Sequence, residues 1–328
     1  MLYLNTDIIT YFAETIRNLK IPIDDFTDPK YFPPRNTDAE TIARYFFFMV
    51  AIDHRTGTLD KNFEGYVGGD FVHGADALYR LGMLIFEKDP DFFSPKRMSR
   101  IARSGIEKWL VITEPEKIVI RDPEIRAFLL RDCGEKILKM YDGSVLGLIE
   151  ASDHYLYSVV EGGFIDRLRI FRAYEDPVEK KSFLLAKFLE RRGLLRVKDP
   201  ENAQVPVDNH LVRIAIRSGL VIPSDDLRKY FVSWKQETSR EEDVLIRLVI
   251  RMAYKKVTEL ANISPFILDD LLWLLGRKIC VRGTPKCDWG TIDELNVKGC
   301  PLRTFCEAYN KKEKLRWNEH RYFNTWYY

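Results

Sequence analysis

Three groups of residues have types and spacings that could do chemistry. The first is Asp208, in the run Val205-Pro-Val-Asp208-Asn-His210-Leu-Val-Arg213. A carboxylate just before an apolar helical run is first of all an N-cap, because its oxygen accepts backbone N–H groups that the helix leaves unpaired. The same placement holds an ionised carboxylate at a helix N-terminus, where it could stabilise developing positive charge or activate a nucleophile. The second group is the pair Lys180-Lys181. A lysine with a lowered pKa is an amine nucleophile; a lysine in a charged helix start, with Lys187 nearby, is ordinarily a solvated charge. The third is Cys280, Cys287, Cys300 and Cys306, separated by six, twelve and five residues. Four cysteines so grouped suggest a metal or redox site before disulfides. Structural zinc sites pair ligands at closer spacing, while four thiolates on a [4Fe–4S] cluster accept longer loops. An iron–sulfur cluster is therefore the first expectation, with zinc, disulfides and unrelated thiols as alternatives. Cys133 stands apart in a helical run and is expected in the core.

The elements that must position these groups read as helices. Helices are expected over Asp7 to Leu19, from a Thr37 or Asp38 cap through the all-apolar run Ala43 to Ile52, and across most of Pro95 to Ala151. More are expected over Ser182 to Arg191, Leu211 to Arg217, Glu241 to Leu260 and Pro265 to Leu275, with Ser239 and Glu242 spaced as a capping box. Strand signals are scarce, with one short run at Lys117 to Arg121. The fold class is all-α.

The Ala43 to Ile52 run ends in Asp53-His54-Arg55, and Glu64 to Asp76 sets Tyr66, Asp70, Phe71 and His73 among glycines. One reading of this second stretch is a tight loop. The other is a pocket wall for a planar ligand, with Phe47 and Phe48 beside it and Asp53, His54 or Asp70 hydrogen-bonding the ligand edge. The terminal run Arg316 to Tyr328 is too aromatic for a free tail and is expected to dock on the body.

Composition sets outer limits. The 328 residues are 46% hydrophobic and 30% charged, which argues for a globular protein of one or two domains. A net charge of +2 does not by itself call for nucleic acid. No stretch approaches the ~20 apolar residues of a membrane span. The N-terminus lacks the basic-then-apolar order of a secretory signal, so a cytoplasmic protein, with no membrane partner, is expected. Only two glutamines occur, Gln204 and Gln236, a composition that suits a thermophile.

The cysteine segment, from Leu272-Trp-Leu-Leu-Gly to Cys306, resembles the iron–sulfur loop of endonuclease III-like DNA glycosylases, although the middle gap is two residues in that family and twelve here. Val207 to Arg213 resembles the segment with that family's catalytic aspartate, at Asp208, and Lys180 to Ala186 the segment with the Schiff-base lysine of bifunctional members, at Lys181. The three motifs stand in the family's order. The glycine-rich hairpin before the lysine is replaced by Tyr174 to Lys180, so the backbone N–H groups it offers a DNA phosphate have no counterpart there. Archaeal 8-oxoguanine glycosylases look similar in this respect. A second resemblance is to the queuosine salvage proteins, N-glycosidases of modified nucleotides, through Phe46 to Phe48, Gly65-Tyr66, Gly143-Ser144, the Asp208 segment and Tyr327-Tyr328.

The resemblance implies a two-lobed helical DNA glycosylase-like fold of the helix-hairpin-helix superfamily. Its expected parts are an N-terminal region (1–155), a catalytic core (156–279), a cluster loop (280–306) and a docking tail (307–328). It implies an N-glycosidase in base excision repair, acting as a monomer on DNA with a damaged or modified base, possessing AP lyase activity if Lys181 attacks the sugar. The site residues would be Asp208 and Lys181 for catalysis, Phe47, Phe48, Asp53, His54, Tyr66, Asp70, Phe71 and His210 around the base, and the four cysteines for the cluster. His210 is equally readable as structural. A basic loop of Arg282, Lys286, Lys298 and Arg303 is expected against phosphates. The alternatives are a salvage N-glycosidase for a small modified nucleotide and a catalytically silent nucleic-acid-binding protein.

Overall fold

In a computed structural model of the chain, which describes residues 1–233 and 235–328, helices dominate. Strands occur among the described residues as four two-stranded antiparallel pairs. The class is all-α, as expected. No helix of the described residues is long and apolar enough to cross a membrane. The chain divides into two compact units: Met1–Ile23 with Ala203–Thr325, and Asp24–Asn202 with Trp326–Tyr328. The chain passes from one unit to the other near residues 23, 202 and 325.

The reason lies in helix Thr6–Arg17. It starts at an Asn5 cap and buries Ile8, Ile9, Phe12, Ala13 and Ile16, one face at helical spacing. That face packs on helix Arg240–Ala261, where Phe12 meets Tyr254 edge-on at 6.2 Å between ring centres. Burial of a side chain such as Phe12 is worth about 1.5–3 kcal/mol. Strand Leu2–Leu4 adds to the same unit by pairing with Val221–Pro223. Helix Arg240–Ala261 begins in the expected capping box, Ser239 with Glu242.

At the centre of this unit lies helix Asn209–Ser218, buried from Leu211 to Ser218. It stops at Gly219, whose φ of 82° lies in the left-handed region. Helix Pro265–Leu274 packs beside it and runs into a π turn, Leu275–Ile279, that leads directly to Cys280. The expected helix ended where the π turn begins. Wider turns of this kind often mark functional positions.

The second unit is organised around helix Ala39–Ala51, capped by Asp38, whose Tyr45 to Ala51 are all enclosed. It packs on helices Lys180–Arg191 and Val145–Ala151. Ring-on-ring contacts hold it, and the hydroxyls of Tyr45 and Tyr174 donate to the carbonyls of Tyr31 and Phe47, both at 2.6 Å. The stretch read as a tight loop is a β-hairpin, Glu64–Val67 against Asp70–His73. Gly68 and Gly69 form its turn at φ 64° and 89°, the conformation a two-residue hairpin demands and glycine supplies. The expected strand near Lys117 is Ile118–Val119, paired with Val111–Ile112.

Candidate active site and cysteine cavity

Helix Ala39–Ala51 ends in a turn whose carbonyls all receive N–H bonds from buried cations. Lys181 Nζ donates to Ala51 O at 2.6 Å. Arg126 donates to the carbonyls of Ile52, His54 and Arg55. Lys180 Nζ donates to Asp53 O at 3.4 Å. A helix C-terminus offers unpaired carbonyls and a partial negative charge, so cations collect there. Yet Asp53 is the only carboxylate among the described residues that pairs with any of the three, through Lys180 at 3.7 Å. Three cations and one carboxylate make an unbalanced group. Lys181 is 0% exposed, and burial, reinforced by Lys180 and by Arg126 and opposed by Asp53, pushes its amine well below the ordinary lysine range. Its second contact is His54 Nδ1, at 3.4 Å. His54 is itself enclosed, and burial together with Arg126 and the two lysines holds it neutral.

Asp208 belongs to the other unit. It caps helix Asn209–Ser218, its Oδ1 accepting from the N–H groups of His210 at 2.8 Å and Leu211 at 3.1 Å. Oδ2 takes no hydrogen bond among the described residues, and the residue is half-buried. Cap and free carboxylate oxygen therefore coexist, one on each oxygen. His210 is pinned beside it by Arg213, whose Nη2 donates to Nδ1 at 2.9 Å. The π turn presses against the same ring: a Cβ on Gly276 would lie 2.7 Å from His210 Cβ. Burial lowers the His210 pKa, with Arg213 adding to the effect and Asp208 opposing it. His210 is thus a fixed, neutral neighbour of the carboxylate.

Arg213 and Arg217, one turn apart on this helix, reach into the cysteine segment. Arg213 Nε donates to Cys280 O at 2.7 Å, and Arg217 Nη1 contacts Cys280 Sγ at 3.6 Å. Cys280, Cys287, Cys300 and Cys306 line one cavity with Ile214, Leu275 and Leu302. All four are free thiols. Burial raises Cys287 and Cys300 and pushes Cys306 up to about 12, so thiols left alone there stay protonated. Thiolates in this cavity need positive charge between them, which is what a metal group supplies. Among the described residues no three His, Cys, Asp or Glu side chains converge tightly enough to grip a single ion; the thiols ring a space instead. Cys133 is fully buried in the other unit, as expected.

The remaining expected residues scatter. Phe47 and Phe48 are packed in the core, Phe47 stacked on Tyr174 at 5.4 Å and edge-on to Phe171, because an all-apolar helix buries every face. Tyr66 and Phe71 form an exposed cross-strand pair on the hairpin, 5.4 Å apart. Asp70 is tied to Lys30 at 2.8 Å. Of the proposed pocket residues, Asp53 and His54 are the ones assembled around Lys181. In the basic loop, Arg282 is bonded to the buried Glu319. Lys286 lies 5.3 Å from the centre of the exposed Trp289 ring.

Residues missed in the sequence include Arg126, Arg213, Arg217, Gly276 and Glu319. The repeat of Arg213 and Arg217 on an otherwise apolar helix was a readable signal, since buried arginines require fixed partners. Glu319 also pairs with Arg213 at 2.9 Å; burial would raise its carboxyl, but the two guanidiniums hold it at about 2. In the tail, Asn318, His320 and Arg321 bond within the first unit, and Trp326 and Tyr328 within the second.

No family model matches the chain, and no curated protein does. Among solved structures it is similar to the 8-oxoguanine DNA glycosylase of Pyrobaculum aerophilum in complex with 8-oxoguanosine, at 18% identity and a TM-score of 0.46, over 83% of this chain and 89% of that one. A likeness that loose adds nothing to the helical architecture seen directly.

Proposed function

We propose that the chain is an N-glycosidase that removes a damaged or modified base from DNA, with Lys181 as the candidate amine nucleophile and Asp208 as a candidate catalytic carboxylate, each argued from its own unit. The observation that carries this reading is the sealed Lys181 amine among an excess of buried positive charge. Such a site favours the neutral amine, the form that attacks carbon. In the step proposed, the amine bonds to the sugar's anomeric carbon while the glycosidic bond breaks. The base leaves with the bonding pair and takes up a proton. Positive charge builds on the sugar as the base departs, and a carboxylate oxygen without a hydrogen bond, as Asp208 has among the described residues, is the kind of group that stabilises such charge. Loss of the amine proton and opening of the sugar ring then give a Schiff base, the intermediate of an AP lyase. A fully enclosed amine meets substrate only after the residues around it part.

Cys280, Cys287, Cys300 and Cys306 would hold the metal group. A ring of thiols around a space suits a [4Fe–4S] cluster, whose irons spread the sulfurs. A zinc ion would draw all four to about 2.3 Å from one point. In either case the group's part is to hold the segment after the π turn against helix Asn209–Ser218. Iron and sulfide analysis of the purified chain, with visible absorbance, decides between them.

One observation favours a second reading, a salvage N-glycosidase for a small modified nucleotide. Tyr327 and Tyr328 are buried, and the carbonyl of Tyr328 accepts from the backbone of Arg55, next to His54. A tail closed over that turn suits a small ligand better than a duplex. Base release from duplex oligonucleotides carrying single modified bases, 8-oxoguanine included, is to be measured beside release from free nucleosides and nucleotides. Release from duplex by the wild type, lost in Asp208→Asn, supports the glycosylase. Release from free nucleotides only supports salvage, and unchanged activity in Asp208→Asn defeats both.

A further inference from the structure

Lys181 has two hydrogen-bond contacts, and they differ in kind. Ala51 O is fixed by the backbone at 2.6 Å; His54 Nδ1 is a side-chain atom at 3.4 Å that can be changed without touching the turn. A neutral amine has two N–H bonds and one lone pair. If Ala51 O takes one hydrogen and His54 Nδ1 the other, the lone pair is the remaining direction. We propose that His54 is the positioning residue for the Lys181 amine, accepting one N–H on Nδ1 so that the lone pair faces the reacting sugar carbon. This rests on the reading of Lys181 as the nucleophile.

Three observations support it. His54 is 3% exposed, yet its Nε2 has no hydrogen-bond partner among the described residues. A histidine kept for packing is normally bonded through both nitrogens; this ring is held through Nδ1 alone, and only by Lys181. The backbone of His54 is anchored separately, its N–H to Ile52 O and its carbonyl to Arg126, so the imidazole is not needed to hold the turn. The charged groups facing the pair come from every neighbouring element: Arg126 and Arg121, Lys180, Asp53, and the thiol of Cys133. They leave His54 neutral and therefore able to accept. Ring tautomer decides the matter. With its hydrogen on Nε2 the ring accepts the amine's N–H; with its hydrogen on Nδ1 it would bond the lone pair and silence the nucleophile.

The test has two arms. Nitrogen-15 NMR of ring-labelled full-length protein reads the His54 tautomer without substrate. A hydrogen on Nε2 and a bare Nδ1 is expected, and the reverse overturns the proposal. Single-turnover borohydride trapping on saturating abasic-site DNA then compares His54→Asn with His54→Phe. Asparagine Oδ1 occupies the place of Nδ1 and should retain most of the rate. Phenylalanine should lose about a hundredfold, the typical cost of a misplaced reacting group, with DNA affinity unchanged. Wild-type rates in His54→Phe overturn the proposal. A wild type that forms no adduct on any DNA defeats the nucleophile reading instead, and the tautomer still reports on His54.

Discussion

The two units bury charge in opposite ways. In the first, the buried guanidiniums of Arg213 and Arg247 each meet a buried carboxylate, Glu319 and Asp243, which Arg282 and His320 also reach, while the buried Arg217 is held by the carbonyls of Trp317 and Val281. In the second, Lys180, Lys181 and Arg126 gather on a helix end where, among the described residues, Asp53 is the one carboxylate paired with any of them. Matched ions repay desolvation and fix geometry; an unmatched lysine resolves its cost by giving up its proton. The balanced clusters hold the tail to the body of their unit. The unbalanced one holds the lysine proposed as the nucleophile.

The largest expected effect breaks the balanced side. Glu319→Ala leaves Arg213 buried without its partner and should cost about 3–5 kcal/mol in denaturant unfolding. The same carboxylates set an acid limit. Glu319 and Asp243 are both held at about 2, below their unfolded values of 4.5 and 3.8, so their stabilisation is complete above those values. It is lost as pH falls towards 2, and a Glu319→Gln chain should show a weaker acid transition over that window.

Gly276→Ala comes next. Its Cβ would press on His210 in a closed π turn, and overpacking of this kind costs about 1–3 kcal/mol. Asp208 separates its two roles by substitution. Asparagine is as good a cap as aspartate, so Asp208→Asn should keep stability and lose base release, whereas Asp208→Ala should also lose about 1 kcal/mol. A parallel loss of stability in both would mean that the carboxylate matters only as a cap.

Smallest, and opposite in sign, is Lys181→Met. Removing a buried amine without a carboxylate partner should leave stability unchanged or slightly raised at neutral pH. The wild type binds fewer protons folded than unfolded at this site, so its disadvantage should fade as pH rises towards 10.5. A destabilisation like that of Glu319→Ala would place Lys181 among the balanced clusters and end the contrast.

Much of this was readable from local chemistry. The Asp208 cap, the Asp38 cap and the Ser239 box were legible because capping depends on residues three apart. The meeting of the four cysteines around one cavity followed the expected grouping. The hairpin at Gly68-Gly69 was missed although its turn signal was present, because the aromatics beside it read as a pocket wall. Glu319 could not be found, since its partner Arg213 lies 106 residues away and nothing local marks the pair. Nor could the split of the chain near residues 23 and 202, which depends on the first helix finding one late in the chain.

Borohydride trapping on a duplex with an abasic site tests the central claim most directly, with wild type beside Lys181→Ala and Lys181→Gln. A covalent adduct in the wild type that both variants abolish is the expected result. An adduct that persists in both, or none in a wild type that still releases bases, would contradict Lys181 as the nucleophile.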